Sequence, residues 1–352
     1  MEAIPSPMNK RLSFHADRFG LVMVDPADFE IERLPCDDGH RICFREGEDI
    51  ADETLRARVD ALVLPPAWQD VRICVDENGH IQAIGRDEKG RLQYRYHDRW
   101  VDVRNAVKTE RLLRFGRSLP KLRKRIDKDI RRKAVDRVST AATAARLVDI
   151  AAMRPGHEKY AEDGGRGVAS LRKENLRLSK ATAVLKFVGK SNKAQQVEVS
   201  DKPLLRSLER IRKTRGPRLF AFKEPGAKKP KLLTATLLND YLRESAAARI
   251  SAKDFRTFHG SAEALRFLIE DAGVEQKSEA KRRRAVAAAM RRVSEVLRNT
   301  PAVARASYVH PEIVSAYEEE RLDPDLFKGR SRAGLTRVET GLMRFLEEVA
   351  TH

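Results

Sequence analysis

The sequence predicts an α+β protein of two domains: a small antiparallel β domain first, then a mostly helical domain with a small β-sheet of its own. Three observations carry this expectation. The chain has 352 residues, a comfortable length for two domains. Its first part, residues 1–105, is built of short β-branched and aromatic runs broken by turn residues. The remainder, 106–352, shows mainly helical spacing of apolar residues. Hydrophobic residues make up 41% and charged residues 35%, and no run of about 18 apolar residues occurs, so no membrane span is expected. Met1 to Lys10 lack the apolar stretch and small-residue cleavage site of a secretion signal, which points to a cytoplasmic protein. Cys36, Cys43 and Cys74 cannot all pair and make no Cys-x-x-Cys, so reduced core thiols are expected.

In order along the chain, Arg72 to Val75 is a strand candidate followed by Glu77-Asn78-Gly79, the strongest short hairpin signal. His80 to Ile84 alternates on the return, Asp87 to Gly90 turns again, and Leu92 to His97 sets Tyr94 and Tyr96 on one strand face. An antiparallel meander is expected. Between Lys108 and Lys133 stand twelve Lys or Arg residues, with Leu112, Leu113, Phe115, Leu119, Leu122 and Ile126 among them, a basic connector helix. The domain boundary is expected near Val103 to Val107. Ala134 to Met153 continues as an Ala-rich helix. A second β element follows, with strands at Asn175 to Leu178, Thr182 to Val188 and Gln195 to Val199, and a hairpin tip at Gly189 to Lys193. Beyond residue 203 the pattern is helical almost throughout. Val286, Met290, Val293 and Leu297 mark one helix face, which stops before Pro301. The last helix opens on a Thr336/Glu339 capping box and carries a stripe of Val338, Leu342, Phe345 and Val349.

Lys and Arg number 70 against 52 Asp and Glu, a net charge of +18. Such an excess adds self-repulsion to the fold, and a polyanionic partner, above all nucleic acid, would offset it. Gly189-Lys190-Ser191 resembles the end of a phosphate-binding loop, but the glycine required five residues earlier is Val184. No ATP site is expected. Lys190 at a hairpin tip is either a solvated turn lysine or one that reaches into a groove. The eight histidines form no His-x-x-x-His and no cluster with cysteine, so no metal site and no other cofactor is expected. Phosphate chemistry without a metal calls for arginine, whose planar fork binds two phosphate oxygens and stays charged.

Leu64-Pro65-Pro66-Ala67-Trp68 and Gly85-Arg86-Asp87-Glu88-Lys89-Gly90-Arg91-Leu92-Gln93-Tyr94-Arg95-Tyr96 resemble the N-terminal domain of type IB DNA topoisomerases, in the small branch of bacteria and poxviruses. The second half agrees in order and spacing: Met153-Arg154-Pro155-Gly156, Lys186 to Lys190, Lys253-Asp254-Phe255-Arg256-Thr257, and Asn299-Thr300-Pro301 through Arg305-Ala306-Ser307-Tyr308. The resemblance covers roughly residues 60 to 315. Each motif alone is weak, and the ordered set is specific.

The resemblance implies a topoisomerase/recombinase-like catalytic domain that relaxes supercoiled duplex DNA without ATP or metal, through a 3′-phosphotyrosyl intermediate and religation. It implies Tyr308 as the nucleophile, Arg154 and Arg256 on the non-bridging oxygens, and Lys190 as the proton donor to the leaving 5′-oxygen. Where the poxvirus pattern has a histidine nine residues before the tyrosine, this chain has Asn299. Asparagine can donate an N–H to a phosphate oxygen but cannot transfer a proton. Asn299 either contacts that oxygen or merely caps the preceding helix. Gln93, Tyr94 and Tyr96 match DNA-touching positions, and the alternative is ordinary half-buried strand side chains. Lys159 and Tyr160 are likewise implied to meet DNA, and the basic connector to track phosphates, in part as a plain solvated face. Tyr317 is discounted as nucleophile because Glu318, Glu319 and Glu320 follow it, and Tyr241 reads as core.

The expected picture is a monomeric two-domain clamp on double-stranded DNA, associated with the bacterial nucleoid and needing no protein partner. Two rivals stand beside it. A tyrosine recombinase shares the chemistry, but usually has a histidine where Lys253 stands and a helical N-terminal domain. A non-catalytic basic DNA-binding protein would be favoured if Arg154, Lys190, Arg256 or Tyr308 were missing, and none is.

Overall fold

The computed structural model describes residues 7–37, 39–156, 165–189, 192–274 and 278–351. The chain divides into two compact units, Met1–Lys108 and Thr109–His352.

The first unit is built on a five-stranded antiparallel sheet. Its strands are β1 (Ile31–Cys36), β2 (Gly39–Phe44), β3 (Gln69–Ile73), β4 (Ile81–Arg86) and β5 (Leu92–Tyr96), in the order β2-β1-β3-β4-β5. The meander expected over residues 72–97 is its β3-β4-β5 half, although β3 starts at Gln69 and ends before Cys74. At the expected Asn78-Gly79 turn, the Gln82 side-chain amide donates to the carbonyls of Asp76, Glu77 and Gly79 at 3.1, 3.0 and 2.8 Å. Strands and turns do not account for the whole of residues 1–105, because among the described residues helices α1 (Pro7–Arg18) and α2 (Glu53–Ala61) are also present. Helix α2 starts where the Asp52 carboxylate accepts the Thr54 and Leu55 N–H groups at 2.8 and 3.2 Å. It buries only Val59 fully, packed with Ile31, Ile50, Val71, Ile73 and Ala83, so its apolar period is too short to stand out in the sequence. Cys43 and Cys74 are buried thiols as expected, whereas Cys36 is exposed because it ends β1 opposite Gly39 at a hairpin tip.

Helix α3 (Trp100–Ile130) starts ahead of the expected boundary and crosses the division between the units. Its first turns place Trp100 and Val103 in a small core of the first unit, and Leu112 to Ile126 enter the large core of the second. One helix serving two cores leaves no break in composition to mark the division.

The second unit is helical around α4 (Arg137–Ala151), whose Ala141, Ala142, Ala144, Ala145, Leu147 and Val148 are all buried. The small side chains let α5 (Lys202–Ile211), α6 (Ala235–Ala246) and α7 (Ala252–Arg266) pack closely around it. The antiparallel sheet β6 (Leu176–Leu178), β7 (Ala183–Val188), β8 (Ala194–Val199) lies where the strand candidates were. Among the described residues after 203 the only strands are a short pair, β9 (Ala221–Phe222) with β10 (Lys231–Leu232). Helix α8 (Glu279–Leu297) buries Val286, Met290, Val293 and Leu297, followed by α9 (Pro301–Tyr308), α10 (Pro311–Glu318) and α11 (Arg337–Thr351). The Thr336/Glu339 capping box is formed, with the Thr336 N–H donating to the Glu339 carboxylate at 2.8 Å and the Glu339 N–H to Thr336 Oγ1 at 3.2 Å. Tyr241 and Tyr317 are both buried. Among the described residues no helix is long and apolar enough to cross a membrane.

Candidate active site

Helix α4 ends at Ala151, and Ala152 adopts a left-handed conformation (φ 48°, ψ 34°) that turns the chain and presents Arg154. The loop bearing Arg154 is fixed by its own backbone. The Val168 N–H donates to the Arg154 carbonyl at 2.9 Å and the Ala169 N–H to the Pro155 carbonyl at 2.8 Å. Gly156 (φ +81°) and Gly167 touch there so closely that a Cβ on either would lie within 2.7 Å of the other's backbone. The Arg166 N–H donates to the Val188 carbonyl at 2.7 Å, so the same loop is joined to the end of β7, two residues before Lys190.

Arg256 comes from the second turn of α7, opened by a Ser251/Asp254 capping box in which Asp254 also holds Arg111. It is only 2% exposed. Its Nη1 donates to the Ala152 carbonyl and its Nη2 to the Leu297 carbonyl at 2.9 Å, while its buried Nε has no partner among the described residues. The guanidinium lies 4.7 Å from the centre of the Tyr308 ring. Tyr308 ends α9, and Gly260, one turn after Arg256, admits it: a Cβ there would come within 2.7 Å of the Tyr308 carbonyl oxygen. Ser261 Oγ donates to that carbonyl at 3.3 Å and accepts the His310 N–H at 3.0 Å, fixing the chain on the far side of the tyrosine.

The electrostatics follow from this crowding. Burial, reinforced by the charge of Arg154, pushes Arg256 down to about 10, still protonated at neutral pH. Burial alone would raise the Tyr308 hydroxyl, but the positive charges of Arg256, Arg154 and Lys253 outweigh it and hold it below the usual tyrosine value. Arg154, Arg166, Gly167, Phe187, Gly189, Gln195, Arg256 and Arg298 line a small cleft. Asn299 follows Arg298 directly. Its backbone N–H closes α8 on the Ser294 carbonyl at 3.0 Å, but both polar atoms of its side-chain amide are buried without a partner. Among the described residues the amide plays no part in capping α8, and its donor and acceptor are both left unused there.

Of the sequence-predicted residues, Arg154, Arg256 and Tyr308 are thus together, with Asn299 beside them in the chain segment that Arg256 grips. Lys190, Lys159 and Tyr160 lie outside the described residues. Gln93, Tyr94 and Tyr96 share β5 in the first unit. Tyr94 and Tyr96 stack with ring centres 5.7 Å apart, Tyr96 stacks on Trp100 at 5.8 Å, and Gln93 donates to Asp87 at 2.8 Å. Sequence reasoning missed Arg166, Gln195 and Arg298 in the cleft wall and Ser261 behind the tyrosine. Among the described residues no cluster of His, Cys, Asp and Glu could hold a metal ion.

Residues 98–324 match the family model of the eukaryotic DNA topoisomerase I catalytic core, and residues 40–87 that of the bacterial DNA topoisomerase IB N-terminal domain. The chain belongs to the type IB DNA topoisomerases. It is 30% identical over 292 residues to DNA topoisomerase 1B of Acanthamoeba polyphaga mimivirus, covering 81% of this chain and 85% of the relative. It is 22% identical over 264 residues to DNA topoisomerase 1B of vaccinia virus (strain Western Reserve) and to DNA topoisomerase I of monkeypox virus, each covering 74% of this chain and 78% of the relative. As a type IB topoisomerase of the small branch, the enzyme acts on DNA and relaxes supercoils by the mechanism of that family, and neither rival reading is favoured.

Proposed function

We propose that Tyr308 is the nucleophile of this relaxation reaction. Its hydroxyl oxygen forms a bond to the phosphorus of one strand, its proton passes to water, and the bond from phosphorus to the 5′-oxygen breaks. The products are a 3′-phosphotyrosyl enzyme and a 5′-hydroxyl, and religation is the reverse. Arg154 and Arg256 neutralise the non-bridging oxygens, the Asn299 amide donates to one of them, and Lys190 protonates the leaving oxygen. The observation that carries this reading is the Arg256 guanidinium over the Tyr308 ring, beside a cleft with a surplus of cations and no carboxylate among its described lining residues. Such a site lowers the barrier where negative charge builds up on phosphorus. One phosphoester is exchanged for another, so the reaction needs neither ATP nor a metal.

The first domain, up to about residue 105, would cover one face of the duplex and the remainder the other, as a monomeric clamp. Gln93, Tyr94, Tyr96, Lys159 and Tyr160 would touch the DNA. The site of action would be the bacterial nucleoid in the cytoplasm. The test is incubation with supercoiled plasmid and EDTA without ATP, followed by denaturation. Wild type should relax the plasmid and leave protein on the 3′ end beside a free 5′-hydroxyl. Tyr308→Phe should bind DNA equally well and form no adduct. An adduct in that variant, or one on the 5′ end, would overturn the assignment.

A further inference from the structure

Arg298 ends α8 with φ +53° and ψ 58°, a left-handed conformation in which glycine is favoured and a long side chain is strained. Its side chain is drawn inward rather than left in solvent. Nη1 donates to the Ala151 carbonyl at 2.8 Å, at the C-terminal end of α4, where a cation is favoured by the helix dipole. Arg256 holds the next carbonyl, Ala152, and at the same time the Leu297 carbonyl beside Arg298. The two arginines therefore close a circuit: the end of α4, which delivers Arg154, is tied twice to the end of α8, which delivers Asn299. Arg298 also lines both the cleft and a second, larger and more open pocket.

We propose that Arg298 is a positioning residue, which sets the separation of Arg154 and Asn299 without touching the DNA. The inference rests on the reading of Arg154 and Asn299 as phosphate-binding groups. The left-handed backbone supplies an unusual test, because the substitutions that suit the backbone best remove the tie. Glycine, and asparagine as a second choice, both adopt this conformation with less strain. R298G and R298N should therefore melt at or above the wild-type temperature. They should bind duplex DNA with unchanged affinity and salt dependence, and cleave in a single turnover on the order of 10²-fold more slowly, the usual cost of a displacement of about 1 Å in a catalytic constellation. With the tie gone, removing the amide should matter little. R298G combined with Asn299→Ala should cleave no more slowly than R298G alone, a departure from additivity that a general loss of stability would not produce.

Three results would overturn the proposal. One is wild-type cleavage in both variants. Another is weaker DNA binding with a shallower salt dependence, which would make Arg298 a phosphate contact. The last is loss of cooperative unfolding in both, which would make it a residue of the fold. Asn299→Ala and Arg154→Ala measured in parallel separate the two levels of inference. If both cleave normally, the underlying reading of the site has failed. If both are slow and R298G is not, only the role of Arg298 has.

Discussion

Arg123 and Arg256 are both largely buried arginines in the second unit, each serving an end of the same helix region, yet their surroundings are opposite. Arg123 places every donor. It binds both oxygens of Asp149 on α4 at 2.9 and 2.8 Å, both oxygens of the capping residue Glu339 at 2.8 and 2.7 Å, and the Gly334 carbonyl at 3.0 Å. Burial alone would weaken its hold on the proton, and the two carboxylates more than reverse that. Arg256 has carbonyl dipoles in place of carboxylates, a second arginine nearby and an unpartnered Nε. The first cluster is finished by the protein itself. The second is left unfinished by the protein, and on the function proposed above a phosphodiester would complete it. Saturated buried charge marks a place that holds the fold, and undersupplied buried charge marks a place that acts.

That contrast breaks if the undersupplied side contributes only to binding. Short of the complete loss expected in Tyr308→Phe, the largest effect should come from Lys190→Ala, expected to cleave about 10²–10⁴-fold more slowly, the range for a lost general acid. A substrate with sulfur for the bridging 5′-oxygen should restore most of the rate in Lys190→Ala and none in Tyr308→Phe, because a thiolate leaves without a proton. A defect that persists with sulfur would make Lys190 a phosphate anchor.

On the saturated side, Arg123→Ala strands two buried carboxylates and should cost about 3–5 kcal/mol of stability, read by denaturant unfolding. At a temperature where it stays folded, its cleavage rate should remain close to wild type. Its pH dependence sharpens the point. Arg123 outweighs the effect of burial and holds Glu339 below the usual carboxylate value, so this contribution is present above about pH 4.3 and is lost as the pH falls through the lower folded value. The gap between wild type and Arg123→Ala should narrow over that range, since protonation relieves the stranded carboxylates. A gap that stayed constant would mean that the pair contributes packing and not charge.

Asn299→Ala should be milder, about 1–3 kcal/mol of transition-state binding, and Asn299→His should be tolerated. The smallest effect is spectroscopic. In an alkaline titration one phenolate should appear below the ordinary tyrosine range, and its absence in Tyr308→Phe would assign it to the site.

Periodic and contiguous signals were the legible ones. The four-residue face of α8, the capping box of α11 and the three strands of the second sheet all stand where their local patterns predicted. Arg154, Arg256 and Tyr308 were found through ordered motifs and lie close to one another. The failures share a physical cause. Helix α2 buries a single residue fully, so it has almost no period to read. Strands β1 and β2 are held by pairing with each other and with β3, not by a marked apolar run. Arg123 and Glu339 are 216 residues apart, and no local pattern links them. Arg298 was hidden because its importance lies in a backbone angle, and its sequence neighbours suggest only a helix about to stop.

The contact of Gly156 with Gly167 has a consequence for how this site can vary. Each glycine exists to admit the other's backbone, so the obstacle to a side chain at one position is main chain, which a substitution at the second position cannot remove. The pair is a ratchet in sequence space: no compensating partner exists, and no order of single changes leads away from it. A library randomised at both positions and selected for relaxation should return glycine twice, however deeply it is sampled.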